Sequence, residues 1–267
     1  MGSKTKQTNV IFASINLVLF IGVIVVNALA SILPINGMDT GELSDLYPNL
    51  FVPAGLTFSI WGLIYLLLLG MVINQLVIAV REKTTGMLSL SASRVLGVNF
   101  LLNMAWILAW HYKLVGLSLL IMIGLLLTLI YLFREVDTLT LNNVSQKLLV
   151  LVPVSVYLGW ISVATIANVT TWLVNMSWAG FGIAAASWTI VVVLVGGLLA
   201  VLMLRLRKSL AYAAVILWAY LGIVIKRMAT EPVENGIIYT VYGVMAVIAI
   251  FMILVLITKR RRPEMNG

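Results

Sequence analysis

The sequence predicts an all-α fold: a polytopic membrane helical bundle of about eight transmembrane helices. Three observations predict it. The chain of 267 residues is 62% hydrophobic and only 10% charged, a balance that no water-soluble globule of this length tolerates. Eight stretches approach or exceed the roughly 20 apolar residues needed to cross a bilayer. The basic residues fall in alternate loops, with fourteen of the 17 on one side of the implied membrane.

The stretches run at 10–33, 52–80, 95–112, 115–133, 148–174, 183–206, 210–225 and 237–257. Lipid offers no partner to a bare backbone group, so a spanning segment is helical or belongs to a closed barrel. Long apolar runs without polar alternation select helices. The first run exceeds a signal-peptide core and no A-x-A site follows it, so it reads as a retained helix. Between the first two spans, the loop Pro34–Phe51 carries Asp39, Glu42, Asp45 and Tyr47 but no Lys or Arg, which places it outside, with Thr40–Leu46 as a short helix. Residues 81–94 and 134–147 are polar cytoplasmic connectors, and residues 226–236 form a short outer loop. From Lys259 the tail is basic and reads as disordered. No internal repeat stands out.

Lys4, Lys6, Arg81, Lys83, Arg94, Arg134, Lys147, Arg205, Arg207, Lys208 and Lys259–Arg262 lie inside on this scheme, and Lys113, Lys226 and Arg227 outside. The chain is thus expected in the cell membrane, multi-pass, with both termini cytoplasmic. The net charge of +8 is explained by basic flanks facing anionic lipid, and requires no nucleic-acid partner. With no cysteine, disulfides and thiol chemistry are excluded.

No Asp, Glu, Lys or Arg lies deep in a span, which argues against ion-coupled transport. The polar information resides in aromatic and amide residues instead. In the second span Phe58, Trp61 and Tyr65 recur at spacings of three and four, on one helix face; in the third, Asn103, Trp106 and Trp110 do the same. In the fifth, Tyr157, Trp160, Ala164, Asn168, Trp172 and Asn175 fall within a stripe about 120° wide at 100° per residue. Helix packing through small residues and interhelical amide bonds accounts for one such stripe. Three converging stripes make an apolar cavity edged by a few polar groups, the usual composition of a small-molecule site.

The segments Pro53–Tyr65 and Tyr157–Asn175, together with Asn103-Met-Ala-Trp106, resemble the second, fifth and third helices of the TspO/MBR family, the tryptophan-rich sensory proteins related to the translocator protein. The resemblance covers about residues 1–178, a TspO/MBR-like five-helix membrane domain, and leaves residues 179–267 as three additional transmembrane helices with a basic tail. It implies a ligand cavity lined here by Phe58, Trp61, Tyr65, Asn103, Trp106, Tyr157, Trp160, Ala164 and Asn168, beneath the first loop. The chain departs from the family pattern at Val156, where a proline is usual, at Ala109-Trp110-His111, and in a first loop without tryptophan.

The expected function is a non-enzymatic membrane receptor or carrier of the tryptophan-rich sensory protein type, binding a tetrapyrrole, sterol or other lipid. No cofactor is called for, porphyrin or haem entering as ligand. The alternative is a transporter or permease component for a small apolar solute, not ion-coupled. The partners are that hydrophobic molecule and the bilayer, and a homo-oligomer is left open. The sole histidine, His111, reads either as a residue of an interfacial aromatic belt or as an axial haem ligand. Asp39, Glu42 and Asp45 read as a solvated acidic loop or as a divalent-cation cluster. Gly196-Gly197 reads as a close helix approach. No nucleophile–base pair, phosphate loop or metal-ligand spacing appears.

Overall fold

In the computed structural model, residues 3–33, 35–83, 85–141 and 143–260 are described; Pro34 and the basic tail from residue 261 lie outside the described residues. The protein is a helical membrane bundle with no strand among the described residues, and eight described helices are long and apolar enough to cross a membrane. In chain order the helices are α1 (Ser3–Ile32), the short α2 (Thr40–Asp45), α3 (Ile60–Val80), α4 (Leu90–His111), α5 (Val115–Thr138), the single turn α6 (Val144–Gln146), α7 (Val152–Asn175), α8 (Ala185–Arg207), α9 (Leu210–Met228) and α10 (Asn235–Arg260).

The helix ends follow local chemistry. Asp39 caps α2: its Oδ1 accepts from the Gly41 and Glu42 amides at 2.7 and 2.9 Å, while Glu42 Oε2 accepts from the Asp39 amide at 2.8 Å, a complete capping box. Ser89 caps α4 by accepting from the Ala92 amide at 3.1 Å. Residues Lys147–Leu151 form a π turn joining α6 to α7, so one helical rod of 32 residues, Val144–Asn175, replaces the span expected from residue 148. The cause is Pro153. It has no amide to donate and its ring crowds the carbonyl four residues earlier, so the preceding turn widens and the Val152 amide reaches Lys147 O.

Five helices close a ring in the order α1, α3, α7, α5, α4, each packed on the next and α4 back on α1. The second layer is α8, α9 and α10, which attaches through α9 packed on α7. Ile64, Met71, Phe100, Met122, Leu125 and Tyr157 are among the side chains sealed inside the ring, while leucines and valines of the outer faces remain exposed, as lipid contact requires. Ion pairs join elements at the two ends of the bundle. Lys6 meets Glu82 at 2.7 Å and Arg207 meets Asp137 at 3.1 Å at one end; Lys226 meets Asp45 at the other.

The tightest seam between the layers is at Gly222 of α9. Its carbonyl accepts from the Ala54 amide at 3.0 Å, and a Cβ built there would stand 1.9 Å from Thr57 Oγ1. Trp218, one turn earlier, donates from Nε1 to Thr57 O at 2.9 Å. The segment leading into α3 is therefore clamped by α9. Gly222→Val should cost about 1–3 kcal/mol of unfolding free energy through overpacking, measured by SDS-induced unfolding of detergent-solubilised protein. Thr57→Ala in the same chain should recover part of it. Gly62→Ala, where nothing lies within 4 Å, should change stability little; an equal loss there would remove the steric explanation.

Candidate functional site

Trp61 of α3 is the centre of the aromatic cluster. Its ring centroid lies 5.5 Å from Tyr65 in a stacked pair, 6.1 Å from Trp106 of α4, and 5.9 and 6.3 Å from Tyr157 and Trp160 of α7, both edge-on. Phe58, on the 3-10 turn Gly55–Ser59 that leads into α3, stands edge-on to Trp160 at 5.8 Å. Trp110 extends the array by stacking on Trp106 at 6.0 Å. Edge-on and offset contacts of this kind contribute about 0.5–1.5 kcal/mol each beyond area burial.

Two amide systems flank the rings. Asn103 Oδ1 accepts from Asn27 Nδ2 of α1 at 2.9 Å, and Asn103 Nδ2 donates to the Tyr157 hydroxyl at 3.0 Å. Nearer the loop, Asn168 Oδ1 accepts from Ser118 Oγ of α5 at 2.7 Å and from Trp106 Nε1 at 3.4 Å, while its Nδ2 donates to Ala164 O at 3.0 Å. Both amides are thus engaged within the protein. The unpaired polar atoms at the cluster are Tyr65 Oη and Trp160 Nε1, each buried with no hydrogen-bond partner.

The loop covers this cluster. Trp110 Nε1 donates to Thr40 O at 3.3 Å, and the Tyr47 ring tilts against Trp110 at 6.2 Å. The space left beneath is a cavity of about 30 Å³, bounded by Thr40, Ser44, Phe58, Trp61, Trp160 and Asn168, with Ala164 and Trp110 also in its wall. That is room for roughly a water molecule.

All nine residues expected at the site are thus gathered, although Tyr65, Asn103 and Tyr157 lie behind the cavity wall, within the packed rings and amides. The outer end of the α7 stripe behaves differently: Trp172 packs against Gly116 at the start of α5, and Asn175 is exposed. Sequence reasoning missed Asn27 and Ser118, although a lone amide in the apolar run of α1 was a visible signal, and it left Trp110 outside the site. His111 does not face outward. It is fully buried, with Nδ1 2.8 Å from Ile107 O and Nε2 unpaired. Asp39 and Glu42 are spent on the α2 cap and Asp45 on Lys226.

An aromatic cluster crossed by amide pairs, enclosed by five spanning helices under a capped loop, defines a membrane protein built around a lined interior pocket. The sequence model of the TSPO-like protein family matches residues 13–255, so the chain belongs to that family, and the match extends over all eight spans, α8 to α10 included. No curated protein and no solved structure matches the chain.

The Asn103 bridge yields a direct test. Asn103→Leu leaves the Tyr157 hydroxyl without its partner and reduces Asn27 Nδ2 to its bond with Val23 O at 2.9 Å, and should cost about 1–3 kcal/mol in SDS unfolding. Asn9→Leu, which gives up only a contact of Asn9 Nδ2 with Met87 Sδ at 3.3 Å, should stay within roughly 0.5 kcal/mol. Equal effects would show that the bridge carries no stability.

Proposed function

We propose that the protein is a non-enzymatic receptor or carrier that binds a hydrophobic ligand (a tetrapyrrole, a sterol or another lipid) in the aromatic cluster beneath the α1–α3 loop. The observation that carries the reading is the convergence of Phe58, Trp61, Trp106 and Trp160 from three separate segments around one point, in a chain of the TSPO-like family. Packing alone needs no loop closed over the rings, and it leaves no reason for two buried donors, Tyr65 Oη and Trp160 Nε1, to stay unpaired beside Trp61. Those two groups, rather than the engaged Asn103 and Asn168, are the ones free to orient a ligand's polar edge.

The cavity of about 30 Å³ is the closed state of such a site. A planar ligand requires residues 40–53 to lift and the Phe58 and Trp61 rings to part. The protein sits in the cell membrane on this reading, with both termini cytoplasmic and the loop outside, because the basic residues gather at the end that holds the termini. Passive movement of a small apolar solute is the alternative use of the same path.

The test is titration of protoporphyrin into detergent-solubilised protein, followed by tryptophan quenching. Trp160→Ala should weaken binding by about tenfold or more, the equivalent of ~1.4 kcal/mol. Tyr65→Phe separates function from packing: losing an unpaired hydroxyl should leave stability equal or higher, while affinity falls about fivefold through one lost hydrogen bond. Tyr239→Ala, on the exposed face of α10, should leave affinity unchanged. Identical affinities in all three variants would mean partition into the micelle, and would bring the permease reading forward.

A further inference from the structure

A second, far larger cavity lies outside the aromatic cluster. It measures about 1010 Å³, at the upper end of what small-molecule sites occupy. It is walled by the loop residues 44–52, the half of α7 from Thr165 to Val174, the beginning of α8 and the end of α9. Ile166, Val169, Leu173, Trp188 and Val192 make its lining mostly apolar. Although α7 and α8 are consecutive spans, they scarcely meet, because α8 packs on α9 and α10 instead. The seam between them is bordered by exposed Val174, Ile183, Val191 and Val195 and opens sideways.

One end of this cavity is charged. Lys226 and Asp45 line it as an ion pair, and Arg227 lines it with 5% of its surface exposed. Arg227 Nε is buried without a hydrogen-bond partner, and among the described residues no carboxylate forms an ion pair with its guanidinium. Asp45 is committed to Lys226, and Glu234, the other acid near Arg227, lies outside the cavity lining. A guanidinium whose Nε is buried without an acceptor is stabilised when a counter-anion joins it. From Arg227 at the α9 terminus to Thr165 in mid-helix, the cavity runs about ten residues of α7, or roughly 15 Å, which is half the ~30 Å hydrocarbon core.

We propose that this cavity holds an anionic phospholipid from the leaflet on the loop side, its phosphate bound by Arg227 and Lys226 and an acyl chain lying along α7. The lateral seam, the one-leaflet depth and the unmatched guanidinium select a membrane lipid over a water-soluble ligand. The site is independent of the aromatic cluster.

The probe is phosphatidylglycerol, compared with phosphatidylcholine of identical chains, each added to delipidated full-length protein and read as retained lipid by native mass spectrometry. The wild type should retain one phosphatidylglycerol per chain, about tenfold or more above phosphatidylcholine. Arg227→Gln should abolish that preference and Arg227→Lys should keep most of it. Val169→Trp, which fills the apolar part, should reduce retention of both lipids. Lys113→Gln, a basic residue at the same end but outside the cavity, and Tyr239→Ala, on the exposed face of α10, should each leave retention unchanged. Unchanged retention in Arg227→Gln or in Val169→Trp overturns the proposal. So does an equal loss in Lys113→Gln, which would mean general surface charge, or full displacement of phosphatidylglycerol by equimolar laurate or protoporphyrin, which would mean a site for soluble anions.

Discussion

A side chain that can hydrogen-bond has no partner in hydrocarbon, and the architecture of this bundle follows from how most of its amides find one within the protein. Asn16 of α1 donates to Ser93 of α4 through both its carbonyl and its hydroxyl, at 2.9 and 3.1 Å. Asn27, Asn103 and Tyr157 tie α1 to α4 and α4 to α7. Asn99 reaches Thr128 of α5 at 2.8 Å, and Ser118 of α5 reaches Asn168 of α7. Gln75 of α3 spans the turn before α4, donating to Gly86 O and accepting from the Leu88 amide. Each such bond is worth only ~0.6–2 kcal/mol inside a membrane, yet each names one neighbour. Apolar side chains pack acceptably in many registers, whereas these amides accept few, so they fix α1 on α4, α4 on α5 and α5 on α7, while α3 is held by its apolar and aromatic contacts.

The same constraint explains why α7 is the central helix. It packs on α3 and α5 of the ring and on α9 of the second layer, and two thirds of its most apolar window, 67%, is buried in protein against 11% for α10. A helix surrounded on all sides must offer small surfaces where it is approached closely. Gly159 does so for α9, since a Cβ there would lie 3.1 Å from Tyr212 O. It must also present large rings where space is to be filled, as Tyr157 and Trp160 do toward α3. Serines and threonines along α7 return their hydroxyls to carbonyls one turn back, as Ser162 does to Leu158 O at 2.8 Å, which removes the need for lateral partners where α9 lies against it.

Span number and the convergence of the aromatic stripes were both legible in the sequence, for different reasons. Spans are written as uninterrupted apolar length, which bilayer thickness sets. The cluster was written as a helical period, because Trp160, Ala164 and Asn168 share a face only at 3.6 residues per turn. Depth of engagement was not legible. Periodicity says that Asn103 and Asn168 point inward, not that Asn27 and Ser118 arrive from α1 and α5 to saturate them. Nor could it show that Trp218, a residue of the second layer, would hold the entrance to α3 by bonding Thr57 O. Such pairings are separated by as many as 161 positions and leave no local trace. His111 was misjudged in its facing: proximity to Trp110 and Tyr112 suggested a belt, but the last turn of α4 directs it inward while Tyr112, its neighbour, stays 60% exposed.

The two cavities differ because the elements around them are held differently. Around Trp61 every wall is tied to another by a side-chain bond or a ring contact, and the rings collapse until about 30 Å³ remains. Between α7 and α8 few ties exist. The turn joining them bends through Ser177, Gly180, Phe181 and Gly182 at positive φ, which directs α8 away toward α10 rather than back along α7. A gap opened in this way within lipid does not stay empty, because apolar walls without partner atoms forfeit their dispersion contacts. Closing it with protein would require α8 to leave α10, whose Val244 fits against Gly197 so closely that a Cβ there would stand 2.2 Å from it. The close glycine contact between α8 and α10 therefore fixes the gap on the far side of α8, and the buried Arg227 at its end determines the charge that fills it.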